Sequence, residues 1–141
     1  MLTRKLEILP AIDVLGGRAV RLAGGKREAV TLEGGDPAEL AARLAAEGAE
    51  RLHLVDLDGA FSGVPSVALV ERVCAAGGVP LQVGGGYRSP EAIAAALDAG
   101  AERVMVGTAA LTPGFVEAIV PDKKLELLRE AIPTMVRVAS P

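Results

Sequence analysis

Pro80-Leu81-Gln82-Val83-Gly84-Gly85-Gly86-Tyr87-Arg88-Ser89-Pro90-Glu91 holds the end of one structural element and the start of another. Leu81 and Val83 predict a short aliphatic strand over Pro80–Val83, and the three glycines stop it. Ser89 is a good helix N-cap, Pro90 suits the first helical position, and Glu91 places negative charge where the first-turn N–H groups favour it. The next helix carries Ile93 and Leu97 one turn apart as its inward face and ends at Gly100. A strand, a tight turn and a capped helix in this order make a βα unit.

The same pattern recurs on both sides. Upstream, Leu6–Ile12 reads as a strand ending at Asp13, and Arg18–Ala23, bracketed by Gly16-Gly17 and Gly24-Gly25, as a short strand within a long loop. Asp36-Pro37 opens a helix that carries Leu40 and Leu44 and stops at Gly48. Arg51–Asp56 is the next strand and Leu57–Pro65 a loop; Ser66 then caps a helix with Leu69, Val70 and Val73 on one face and Gly77 at its end. Downstream, Arg103–Val106 is a strand that ends at Gly107-Thr108, and Thr112-Pro113 begins another helix. Four βα units in series predict an α/β fold with a parallel sheet. An echo accompanies them: Gly48-Ala49-Glu50-Arg51-Leu52 returns as Gly100-Ala101-Glu102-Arg103-Val104, two units later. It reads either as the trace of a duplicated pair of units or as convergence between Ala-rich helix ends.

Composition agrees with helices on a buried sheet. Half of the 141 residues are hydrophobic, and the only aromatics are Phe61, Tyr87 and Phe115, as suits strands that are aliphatic on both faces. With a net charge of −3, no basic patch and no interleaved aromatics, a nucleic-acid partner is excluded, while a small anionic ligand is not. Cys74 is the single cysteine, which rules out an internal disulfide and a cysteine-built zinc site and reads as a buried structural thiol. No apolar run approaches the ~20 residues of a membrane span, and Met1–Lys5 lacks the apolar region of a signal peptide. The expectation is a cytoplasmic protein with no membrane contact.

In parallel α/β folds, ligands bind at the carboxyl ends of strands. Those ends carry Asp13, then Asp56 and Asp58, then Gly84-Gly85-Gly86 with Arg88, then Gly107-Thr108. A carboxylate such as Asp13 at an apolar barrel mouth suits acid/base work, or it caps the following turn. The glycine run lets backbone N–H groups approach an anion, with Arg88 adding a charged fork, and Gly107-Thr108 repeats the arrangement one strand later. Read together they make a phosphate cradle; read separately they are turns. His53 is the only histidine. Alternation puts it with Val55 on one side of its strand and Leu52, Leu54 and Asp56 on the other, and the sequence leaves open which side faces a barrel interior.

Four segments in order, Ile12–Leu22, Leu52–Ala60, Gln82–Ser89 and Val106–Ala110, resemble the N-terminal half of the ProFAR isomerase family of histidine biosynthesis. The resemblance runs from about Leu6 to Ile119. It implies half of a (β/α)₈ TIM barrel and an Amadori aldose-to-ketose rearrangement of a bis-phosphorylated ribotide, without metal or cofactor. It also implies Asp13 as a catalytic acid/base, Arg21, His53 and Arg88 as substrate contacts, and Gly84, Gly85, Gly86, Gly107 and Thr108 as one phosphate site. The family's second aspartate would fall in Thr134–Pro141, which has no Asp or Glu. The expected organisation is therefore a (βα)₄ half-barrel over 1–119 and a divergent tail over 120–141 containing a helix and a short strand. The expected chain is a truncated, weakly active or inactive copy. Its open sheet edges invite a second copy or a complementary half-barrel, and a phosphate-binding module is the non-enzymatic alternative.

Overall fold

The computed structural model describes residues 6–23 and 30–119, and at 30–33 the backbone alone. The expected tail over 120–141 lies outside the described residues. The chain divides into two compact units, Met1–Val106 and Gly107–Pro141.

In the first unit six strands form one sheet in the order β3-β2-β1-β4-β5-β6. Strands β1 (Ala11–Leu15), β4 (Leu52–Asp56), β5 (Leu81–Gly84) and β6 (Arg103–Val104) are parallel neighbours, as the βα grammar requires. Strand β1 runs two residues past its expected end because Gly16-Gly17 makes a two-residue hairpin. Both glycines have positive φ, 58° and 75°, the combination that matches the twist of paired strands. The hairpin returns as β2 (Arg18–Leu22), and a further strand, β3 (Val30–Gly35), pairs antiparallel with it, so the sheet is mixed rather than purely parallel. The fourth expected strand is also shorter, keeping only Arg103–Val104 and one further ladder bond, Met105 N–H to the Val83 carbonyl at 2.7 Å.

Three helices cover one face of this sheet. Helix α1 (Pro37–Ala46) is capped by Asp36, whose carboxylate accepts from the Ala38 and Glu39 amides. Helix α3 (Val67–Gly77) is capped by Ser66 and α4 (Pro90–Asp98) by Ser89, each hydroxyl accepting from the amide three residues on. Each of these three caps is the residue the sequence assigns. Between β4 and α3, where a loop is expected, Leu57–Ser62 forms a short helix, α2, bounded by the Asp56 cap and by Gly63 at φ 80°.

The core lies between helices and sheet. Ile12, Val14, Leu52, Leu54, Leu81 and Val83 are each 1% exposed and face α1, α3 and α4. Each contributes about 1.5–3 kcal/mol by leaving water. Helix α3 adds Leu69, Val70 and Val73 as expected, but in α4 the buried position belongs to Ala96 and Leu97 is 45% exposed. A small residue there lets the helix approach the sheet closely. Cys74 is half-buried against Gly100, where burial pushes its thiol up, in keeping with a structural role.

In the second unit Thr108–Leu111 is a 3₁₀ turn and Phe115–Ile119 a short helix, α5, with Phe115 buried. That helix starts three residues after the expected Thr112, because Thr112-Pro113-Gly114 forms a turn with Gly114 at φ 80°.

Candidate functional site

The alternation of buried and half-buried residues decides which face of the sheet is available to a ligand. Ile12, Val14, Leu52, Leu54, Leu81 and Val83 face the helices, so Asp13, His53, Val55 and Gln82 stand on the opposite face, left uncovered by the described helices of the first unit. Register aligns Ala11 with His53 and His53 with Gln82 in one row, and Asp13 with Val55 and Val55 with Gly84 in the next. Asp13 and His53 are diagonal neighbours on adjacent parallel strands. Asp13 lies within β1 rather than at its end, two residues below the hairpin turn.

Arg21 is placed differently. Its ribbon neighbour Val20 is the residue paired with Asp13, so alternation turns Arg21 to the other side of β2. Asp13 and Arg21 still contribute to one open groove of about 470 Å³, with Val20, Leu22, Gly34 and Leu40 among its walls.

The glycine run has a structural task of its own. A Cβ on Gly85 would land on the Asp56 carbonyl, and one on Gly86 on the Gly59 carbonyl; φ is 114° and 84° at the two positions. The loop after β5 therefore packs backbone to backbone against the β4–α2 junction. Gly59 completes the contact, since a Cβ there would come within 2.8 Å of the Gly85 carbonyl and of Asp56 Oδ2. Gly84 is different: it sits on the uncovered face, where a Cβ would lie 3.7 Å from His53 Cε1 and 3.6 Å from Met105 Cβ. A Cβ on Gly107 would meet nothing within 4 Å; the residue precedes the 3₁₀ turn at Thr108 in the second unit.

Three charged groups tie these loops together. Asp56 is 4% exposed, and its two carboxylate oxygens accept from Gly59 N at 2.8 Å and Ser66 N at 2.7 Å, fixing both ends of the segment between β4 and α3. Asp58 Oδ2 accepts from Gly16 N at 2.6 Å, joining the β1–β2 turn to α2. Arg88 Nη2 donates to the Ala60 carbonyl at 2.8 Å, and Nη1 packs over Gly63, so its guanidinium is held at the end of α2. Beneath them Tyr87 is buried, and desolvation, with the Asp56 charge adding to it, pushes its hydroxyl up to about 12.

The sequence profile of the histidine biosynthesis protein family matches residues 7–123. This chain belongs to that family. The family fold is the TIM barrel, of which the described strands form an unclosed part. Curated relatives agree: the chain is 46% identical over 115 residues to the 1-(5-phosphoribosyl)-5-((5-phosphoribosylamino)methylideneamino)imidazole-4-carboxamide isomerase of Desulforudis audaxviator, covering 80% of this chain and 44% of the relative. It is 47% identical over 115 residues to the isomerase of the same name from Thermococcus onnurineus, covering 81% and 49%. With that of Roseiflexus castenholzii it shares 49% over 107 residues, covering 75% and 45%. The chain thus spans about half the length of the curated relatives it matches.

Among the residues sequence reasoning singles out, Asp13, His53 and Gly84 come together on the uncovered face, and Gly85, Gly86 and Arg88 form the rim beside it. It overlooks Gln82, whose side chain touches His53. The signal is present in the spacing, since Gln82 stands two residues before Gly84, but the pairing becomes visible only once the β4–β5 register is known. No helix among the described residues is long and apolar enough to cross a membrane.

Proposed function

We propose that this chain carries the first half of the active site of a ProFAR-type isomerase, with a bis-phosphorylated ribotide as substrate. The observation that carries the reading is Asp13 beside His53 on the uncovered sheet face, in a chain whose relatives bear that activity by name. Asp13 acts as acid/base: an Amadori rearrangement opens the aminoaldose ring by proton delivery to the ring oxygen, giving a protonated Schiff base; removal of the C2 proton to a base gives an enaminol, and protonation at C1 with loss of the C2 hydroxyl proton leaves the aminoketose. His53 supports the sugar through its ring nitrogen. Arg88 adds positive charge at the rim, and Gly84–Gly86 cradle one phosphate through backbone N–H groups. Arg21, which lines one groove with Asp13, is a further substrate contact.

By itself the 141-residue chain is weakly active or inactive, since no second carboxylate is present in Thr134–Pro141 to share the proton transfers. A separate C-terminal half or a second copy would complete the site. An isomerase assay on the purified chain, alone and mixed with the C-terminal half of a curated relative, tests this. We expect turnover only in the mixture, falling about 10²–10⁴-fold with Asp13→Asn. Turnover by the chain alone near that of a full-length isomerase, or an unaffected Asp13→Asn mixture, refutes the reading.

A further inference from the structure

His53 leans on one side chain. Gln82, its neighbour in the β4–β5 register, places Nε2 3.2 Å from His53 Nδ1. An amide can offer either end to an imidazole, and each choice demands the opposite tautomer. A second contact settles which end is offered. The same Nε2 lies 3.2 Å from Met105 Sδ, and a thioether has lone pairs to accept with but no proton to give. The amide NH₂ gains a partner there, whereas the carbonyl oxygen would meet lone pairs with lone pairs. One N–H of Gln82 then goes to Met105 Sδ and the other to His53 Nδ1. Nδ1 must accept, so the ring proton sits on Nε2.

We infer that Gln82, oriented by Met105, is a positioning residue that holds His53 in the Nε2–H tautomer. The ring thereby presents a donor to the uncovered face, suited to a phosphoryl, carbonyl or hydroxyl oxygen and unsuited to a group that can only donate. The ligand part of this inference rests on the proposed site on that face; the tautomer does not.

Because the chain has a single histidine, its imidazole nitrogens are identified without assignment. Long-range ¹H–¹⁵N correlation spectra of the full chain, under alkaline conditions that keep imidazole neutral, should show a protonated Nε2 and a pyridine-type Nδ1. Gln82→Glu, whose carboxylate can only accept, should turn the ring over to Nδ1–H. Met105→Leu, at a position 52% exposed, should leave both tautomers populated, and it serves if the Gln82 variant fails to fold. Nδ1–H as the main form in the unaltered chain overturns the inference, as does a tautomer ratio that neither substitution moves. Ribose 5-phosphate is then added to the unaltered chain. A shift of the Nε2 resonance supports the ligand reading of this face; no shift, with the Nε2–H form intact, refutes that reading and leaves the role of Gln82 standing.

Discussion

The two ends of the parallel strands use their charged side chains in opposite ways. At the carboxyl end, charges bond mainly to backbone: Asp56 to the Gly59 and Ser66 amides, Asp58 to the Gly16 amide, Arg88 to the Ala60 carbonyl, and Asp36 to the Ala38 and Glu39 amides as well as to Arg72. At the amino end they bond to each other: Arg51 reaches Glu7 at 2.9 Å and Glu102 at 2.7 Å, and Arg103 stands 3.8 Å from Glu102. A bond to backbone fixes the shape of a loop, whereas a bond between side chains only draws strand ends together. In barrels the carboxyl end is where ligands bind. Here that rim is also the one whose backbone is held by buried hydrogen bonds and close loop packing.

The contrast can be broken most severely at Gly85. Alanine there must place a Cβ against the Asp56 carbonyl at a φ of 114°, and nothing but backbone is available to move. We expect a loss of more than about 3 kcal/mol in urea unfolding, enough to leave much of the chain unfolded; a stable Gly85→Ala protein would mean the two loops are not a single packed layer. Asp56→Ala should come next, at about 3 kcal/mol, since it removes a charged acceptor from two amides that stay partly buried. Asp56→Asn keeps an oxygen for one of them and should lose about half as much.

The smallest effect belongs to the amino end. The hydrogen bond from Arg51 holds the Glu102 carboxyl below its ordinary 4.5. A lowered folded-state value stabilises the fold above the ordinary glutamate range, and that stabilisation disappears as pH falls through the lowered value. Glu102→Gln should therefore melt slightly below the unaltered chain at neutral pH and together with it in acid, once the carboxyl of the unaltered chain is protonated, with the gap narrowed by high salt. A gap that persists in acid would move the effect from the charge to packing, and one as large as that of Asp56→Ala would erase the contrast between the rims.

How much of this is legible in the sequence depends on whether the controlling contact is local. Caps at Asp36, Ser66 and Ser89 are fixed within three residues of the sequence, and each stands where the sequence puts it. The echo at Gly48 and Gly100 is local in the same sense. Ala49 N bonds the Leu44 carbonyl and Gly48 N that of Ala45; Ala101 and Gly100 make the matching bonds to Ala96 and Leu97. Both are glycine-terminated helix ends that turn directly into a strand. Shared capping chemistry accounts for the repeat whether or not a duplication lies behind it. The two arginines of the repeat differ in their surroundings: Arg51 is flanked by acidic partners and its side chain is 13% exposed, whereas Arg103, on the last described strand, is 52% exposed.

The misses are non-local. Strand β3 shows only Val30 and Leu32 as apolar alternation and owes its form to pairing with β2. Helix α2 contains a glycine and reads as loop until Asp56 and Gly63 are seen to bound it. Glycines at 85 and 86 read as an anion cradle from sequence, yet their first necessity is to let one loop lie on another. The side of β4 that faces outward, and with it the company His53 keeps, is decided only by the position of α1 and α3.

The β2–β3 ribbon has a consequence for how the protein is made. It occupies the flank of β1 over Asp13–Leu15, so the parallel array grows in one direction, from β1 through β4 and β5 to β6. That is also the order in which the strands leave the ribosome. Each arriving strand adds to the outer edge, none has to be inserted between two already paired, and the hairpin closes early through contacts close in sequence. Pulling-force measurements on nascent chains of increasing length should then show successive steps after β4, β5 and β6, whereas a single late step would mean the sheet waits for all its strands.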